Sequence, residues 1–436
     1  MRRAGGSVCL FLFFFLWQNA ALAATTGEMA TYSEKAVDRE QDDASFWKRF
    51  KVSGWLEGIH SMRIRAPHDP VTSRLRLRLE LAADMGWLYG FASADAEKNW
   101  EIDSETGVEP HELWLEHVDT RWDIRVGRQI IIWGKADGVQ VTDNISPPDY
   151  TESMTRDLDE IRQPVEAAKL RLLGEVVNLE LIWIPVFRKA KLPEKDNPWA
   201  VSSQPPPGVR MYSDDAREPS PSLENSEAAV KLSGYFSGMD VAASAFYTWD
   251  DMPARRRAVS RASGVPEVRL RPEHHRMTIY GLEFSRPWSD FVFRGEAAYF
   301  VGRYRETTAL DRNPPPKDSL KWLLGVDWTP GDDWTISAQI LNEKIFGYQR
   351  CLGAEENDSL ATVNISKKLF NQMLTVSNML YYDLNDGEFF NRGKVEYEIA
   401  NGFFASAGVD IFSGKNGQFG MYENNSQIWF KLKYSF

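Results

Sequence analysis

Cysteine is nearly missing: there are two in 436 residues, Cys9 and Cys351. Cys9 falls in a segment read below as cleaved off, so no intramolecular disulfide is available and a disulfide-stapled domain is excluded. Long apolar runs are missing too. Beyond the first 23 residues nothing approaches the roughly 20 apolar residues of a spanning helix, and mean hydropathy is −0.41. Positive charge is in deficit, with 51 Lys and Arg against 62 Asp and Glu. Without Arg2 and Arg3, 49 oppose 62, a balance of −13 that argues against nucleic acid as a partner. Histidine is scarce, with six copies. His111, His117, His274 and His275 are catalytic candidates by type, but none sits in a motif that fixes a nucleophile. His274 and His275 would alternate across a strand and so cannot share a metal, and His60 and His68 lack ligand spacing. No glycine-rich phosphate loop occurs. The sequence therefore points away from an enzyme and implies no cofactor and no metal.

What is present is alternation. Eighteen strand-like segments of about ten residues follow one another from 51–64 to 425–436. Their connections alternate between short turns, such as Asp84–Gly86 and Phe236–Gly238, and long loops, such as 97–109, 132–164, 187–225 and 250–273. Parity assigns the faces. In 71–83, Leu75, Leu77, Leu79 and Leu81 alternate with Arg74, Arg76, Arg78 and Glu80. Four leucines in water would be costly at about 25 cal/mol per Å². Three arginines in lipid would each cost about 2–4 kcal/mol at the midplane. The arrangement that avoids both sets leucine toward lipid and arginine toward a wet interior. Phe291, Phe293, Ala297 and Tyr299 oppose Arg294 and Glu296 in the same way, and Val395, Tyr397 and Ile399 oppose Lys394, Glu396 and Glu398. The fold class is all-β: a transmembrane antiparallel β-barrel of about eighteen strands. Low hydropathy does not conflict with this, because only alternate residues of a barrel meet lipid. The charged inner positions imply a hydrated or salt-bridged lumen rather than an oily one.

The ends of the chain agree. Arg2 and Arg3, the apolar stretch Val8–Trp17 and Ala21-Leu22-Ala23 form a secretory signal over 1–23. Residues 24–50 are a polar periplasmic leader, and 51–436 form the barrel. In the last strand Ile428, Phe430, Leu432, Tyr434 and Phe436 share one face. This ending resembles Gram-negative outer-membrane barrels, and the resemblance implies that Phe436 is read by the barrel-assembly machinery. Short turns would then face the periplasm and long loops the exterior. Outer-membrane lipid and lipopolysaccharide are the expected surroundings, with Arg255, Arg256 and Arg257 available to phosphates. A periplasmic partner or a homo-oligomer stays open.

The segment 132–164 follows the strand 122–131. It is longer than the 12–15 residues that an unstructured loop tolerates, and it carries Trp133, Val139, Val141, Ile145 and Tyr150. It is read as a structured loop. General porins fold their third outer loop into the barrel, and the resemblance implies the same here. The loop carboxylates Asp137, Asp143, Asp149 and Asp157 would then face the wall cations Arg74, Arg76, Arg78, Arg125, Lys169 and Arg171, giving a field that selects permeants by charge. The stretch Gly127-Arg128-Gln129, Trp133-Gly134 and Pro147-Pro148-Asp149 also resembles a group of porin-like outer-membrane proteins of unknown function carrying G-R-Q-x-x-x-W-G. Two functions remain. One is an outer-membrane pore or exporter constricted by 132–164. The other is a plugged, non-conducting barrel acting in lipid or polymer transport across the envelope, or as a binding or scaffold protein.

Overall fold

The structure is a computed structural model and describes residues 48–436 except 153–154, 157–159, 202–204, 263 and 416. The signal and nearly all of the leader expected at 1–50 lie outside the described residues. In chain order the strands are β1 (Phe50–Arg63), β2 (Pro70–Asp84), β3 (Tyr89–Asn99), β4 (Gly107–Val118), β5 (Trp122–Gln129), β6 (Val165–Leu173), β7 (Val177–Ile184) and β8 (Arg210–Ser213). There follow β9 (Glu227–Phe236), β10 (Met239–Trp249), β11 (Ala254–Ser260), β12 (Glu267–Glu273), β13 (Arg276–Trp288), β14 (Phe291–Tyr304) and β15 (Pro316–Trp328). The series ends with β16 (Trp334–Ile345), β17 (Asn357–Leu369), β18 (Leu374–Asp383), β19 (Phe389–Ala400), β20 (Phe403–Ser413) and β21 (Gln427–Ser435).

Eighteen of these, all but β8, β11 and β12, form one antiparallel sheet in which each strand pairs with the next. The sheet closes because β1 pairs with β21, from Trp55 opposite Ser435 to Arg63 opposite Gln427. Gly54 and Phe436 then exchange two backbone hydrogen bonds of 3.0 and 2.9 Å. Closure removes both edges of this eighteen-stranded sheet.

Parity assigned the faces as expected. Leu79 is 48% exposed on the outside, while Arg74 and Arg76 on the inside are 4% and 5% exposed. Trp87, Trp288 and Phe370 stand exposed beside the short turns.

The lumen differs from the expectation of a purely polar interior. Ile184, Phe246, Ile279 and Phe300 also point inward, near the long-loop end, and are buried in one apolar cluster with Ile131, Trp133, Val141 and Ile145. The charged inner residues Glu180 and Arg294 occupy the short-turn half of β7 and β14, and Lys169 and Arg171 that of the neighbouring β6. Parity tells which face a side chain takes. It does not tell that a loop enters and dries one end of that face.

The loops after β7 and β10 are less irregular than expected. β11 and β12 form an antiparallel hairpin, and β8 joins β12 in parallel. All three arginines of the run Arg255–Arg257 are engaged here: Arg255 and Arg257 both reach Glu306, Arg256 lies 3.5 Å from Glu273, and Arg257 also donates to the Thr307 carbonyl at 2.6 Å.

If the outer face meets lipid, Leu79→Arg should cost about 2–4 kcal/mol, read by denaturant unfolding of protein refolded in lipid vesicles. Leu79→Phe should stay within about 1.5 kcal/mol of wild type.

Candidate functional site: the loop inside the barrel

The segment 130–164 connects β5 to β6. Its first residues have no strand to pair with, so their amide hydrogens go to side chains. Ile130 N–H donates to Glu112 (2.9 Å), Ile131 N–H to Ser146 Oγ (2.9 Å) and Trp133 N–H to Asp143 (3.0 Å). The Trp133 indole N–H reaches Glu180 on β7 at 2.6 Å. The next turn wraps around one carboxylate, Glu296 of β14, which is 4% exposed. It accepts from the amides of Lys135, Ala136 (2.7 Å) and Thr142 (3.1 Å), and from Thr142 Oγ1 (2.8 Å). Gly134 has φ +85°, and a Cβ there would lie 2.9 Å from Glu296 Oε2, so glycine is required on both counts.

The tip then reaches the far wall. Asp137 N–H donates to Gln339 Oε1 (3.1 Å) and Gln339 Nε2 donates back to the Asp137 carbonyl (2.7 Å). Asn364 Nδ2 donates to the Asp137 carboxylate (3.3 Å), and the Tyr381 hydroxyl donates to the Gly138 carbonyl (3.1 Å). Gly138, at φ +70°, lies so close to that hydroxyl that a Cβ would collide with it. Asn364 lies on β17, the fourteenth strand round the barrel. β5 is the fifth, so the two are nine apart in eighteen and face each other across the lumen.

The return limb is tied by charge. Arg162 Nε donates to Asp143 at 2.7 Å, and both side chains are 6% exposed. Glu152 is paired with Arg74 of β2 and accepts from Asn99 of β3 at 3.3 Å. Arg156 lies 3.5 Å from Glu152 and 3.8 Å from Asp149. Lys191, from the loop after β7, lies 2.7 Å from Glu105 and 3.8 Å from Asp149.

The residues singled out in the sequence thus have different surroundings. Asp137 sits at the tip beside the open part of the lumen. Asp143 and Asp149 pair mainly within the loop, and burial raises the Asp143 carboxyl above its ordinary range despite Arg162. Asp157 lies outside the described residues. Among the wall cations, Arg74 meets the loop at Glu152 and lies 3.8 Å from Glu160. Arg76 and Arg78 converge on Asp95 at 2.8 and 2.6 Å. Arg125 bonds Glu116 at 2.8 Å and lies over the Trp114 ring. Arg171 bonds Asp123 at 2.9 Å, and Lys169 stands opposite Arg125 in the β5–β6 register. Most wall charge is therefore matched on the wall itself. Sequence analysis did not single out Gln339, Asn364 and Tyr381 as contacts of the tip. Their one signal was inner-face parity.

A cavity of about 620 Å³ remains between the loop and the wall formed by β17–β21, β1 and β2. Asp137, Glu160, Arg156 and Arg162 line it from the loop; Arg74, Arg392, Lys394, Lys431 and Asp410 line it from the wall. At its long-loop end Phe419 belongs to the loop after β20. That loop is fixed by Glu388, which accepts from the amides of Lys415 (2.7 Å), Gly417 (2.9 Å) and Gly420 (2.8 Å). These bonds hold the Glu388 carboxyl below its ordinary range.

Two predictions follow from this geometry. Glu296→Ala should lower stability by about 3 kcal/mol, because it strands amides that no other group accepts, and should open 130–164 to limited proteolysis. The second concerns Asp251, after β10, whose carbonyl accepts from Ala190 N–H at 3.1 Å and so joins two long loops. Removal from water, then the charge of Asp250, push its carboxyl up to about 7, against the pull of Arg303. An acid whose folded pKa is raised stabilises fully below its unfolded value, here 3.8, and that contribution is lost as pH rises through about 7. Amide exchange at Ala190, corrected for intrinsic rate, should be slower at pH 5.5 than at pH 8, and Asp251→Asn should abolish the difference.

The same architecture occurs in solved structures. Acinetobacter baumannii OccAB1 superposes with a TM-score of 0.51 at 8% identity, over 89% of this chain and 96% of that one. OccAB4 of the same organism gives 0.51 at 11%, over 89% and 97%. Pseudomonas aeruginosa OccK11 gives 0.50 at 9%, over 89% and 96%. At such identities the likeness is one of fold. No curated protein matches the sequence. A family profile described as a protein of unknown function, DUF1302, matches residues 101–436. That match covers well over half of the sequence, and the chain belongs to the DUF1302 family.

Proposed function

We propose that the protein is a pore in a Gram-negative outer membrane, and that solute passes through the cavity beside the inward-folded loop. The observation that carries this reading is the division of the lumen. The loop packs apolar side chains against one side of the barrel, and on the other side a space of about 620 Å³ stays open, lined by charged and aromatic groups. A scaffold barrel would gain by filling that side as well, since a packed interior is more stable than a void. The outward apolar faces and the alternation of short turns with long loops support a membrane setting of the outer-membrane kind.

In this role the loop is the constriction. Asp137, Glu160, Arg156 and Arg162 set its charge at the passage, while Asp143 and Asp149 keep its shape. Arg74 ties it to the wall. Neighbouring fixed charges of both signs make a pore that responds to the charge of its permeant rather than to size alone.

Refolded protein in a planar bilayer should give stepwise openings. In a salt gradient, Asp137→Asn should move the reversal potential toward anion preference, whereas Arg171→Gln, remote from the cavity, should move it less. A correctly folded barrel that never conducts would overturn the pore and favour the plugged alternative.

A further inference from the structure

The wall of the cavity is graded, and the grading points to a class of permeant. β19 turns Phe390, Arg392 and Lys394 inward, in that order from the long-loop end. At two residues per step these side chains stand about 6–7 Å apart along the strand. The antiparallel neighbour β18 sets Tyr381 opposite Phe390, Met379 opposite Arg392 and Ser377 opposite Lys394. The upper pair is aromatic and stacked, with centroids 5.7 Å apart and planes at 19°. Phe419 extends this apolar surface at 6.4 Å from both rings. Below it the wall becomes cationic within one strand step.

The cations are held differently. Arg392 is fixed by Asp410, with Nε 2.8 Å and Nη2 3.2 Å from its two oxygens. Lys394 lies 3.6 Å from Glu396, beyond hydrogen-bonding distance, and 27% of its side chain is exposed. Two strands further along the same wall, β21 repeats the theme with Trp429 and then Lys431. The Trp429 indole N–H has no acceptor among the described residues.

We infer that this passage selects amphipathic organic anions, in which an apolar body of aromatic size carries a single acidic head. The inference rests on the pore reading above and deepens it. The body lies against Tyr381, Phe390, Phe419 and Met379, while the head meets Arg392 and Lys394 one step further in. An inorganic anion would use only the lower half of the surface, and a neutral aromatic only the upper half. A cation would meet Arg392, Lys394 and Lys431, and on the loop side Arg156 and Arg162 beside Asp137 and Glu160.

The test uses permanently charged probes on the refolded full-length mature barrel in a planar bilayer: benzenesulfonate, methanesulfonate and benzyltrimethylammonium. Each is titrated against the potassium chloride current. Benzenesulfonate should half-block at a concentration at least tenfold below that of methanesulfonate and of benzyltrimethylammonium. Lys394→Gln should raise its half-blocking concentration at least threefold, and Met379→Gln should narrow its advantage over methanesulfonate. Equal block by the two sulfonates, or equal block by the aromatic cation, would overturn the inference while leaving the pore in place. Absence of any chloride current from folded barrel would remove the pore and the inference together.

Discussion

One buried carboxylate organises the interior. A chain that crosses a lumen without forming a strand or helix brings its amide hydrogens with it, and each must find an acceptor. Between Ile130 and Thr142 seven of them are taken by side chains: those of Ile130, Ile131, Trp133, Lys135, Ala136, Asp137 and Thr142. Three of the seven go to Glu296. The wall thus acts as the missing partner strand, and an irregular loop keeps a fixed path inside the barrel.

The rest of the lumen takes its form from that path. Where the loop lies against β7, β10, β13 and β14, the inner face is apolar and dry. On β17–β21 and β1–β2 the loop touches the wall at Asn364, Tyr381 and Arg74, the inner face mixes aromatic with charged side chains, and the cavity remains. The barrel is circular in connectivity but two-sided in chemistry. A solute therefore meets a static half made of loop and core and a passage half made of wall. The return limb, held by Arg162, Arg156 and Arg74, separates the two.

Much of this architecture was legible in the sequence. The alternation of leucine with arginine and glutamate in 74–81 has one physical solution, and strands such as 291–299 and 395–399 repeat it, so strand number, faces and loop order could be read directly. The loop could be recognised because Trp133, Val141 and Ile145 make an improbable disordered segment. Its anchors could not. Glu296 looked like any inward charge of β14, and Gln339 and Asn364 carried no charge to notice. Their role depends on which residue lies across the lumen, some 160 to 230 positions away in sequence. The wall arginines were legible as inward but not as paired, because pairing with Asp95, Glu116 or Asp123 depends on register between strands. The small sheet of β8, β11 and β12 escaped notice because prolines and like-charged arginines obscure its alternation.

The central claim is that the loop stays across the barrel while the passage beside it conducts. The direct test is an oxidised pair, Asp137→Cys with Asn364→Cys in a Cys351→Ser background, compared before and after reduction. Asp137 and Asn364 already touch through their side chains at 3.3 Å. The account predicts that the pair cross-links in the folded barrel and that the tethered protein still conducts, with a single-channel current close to that of the reduced form. A current that appears only on reduction would mean that the loop must leave the lumen for solute to pass, and would contradict it.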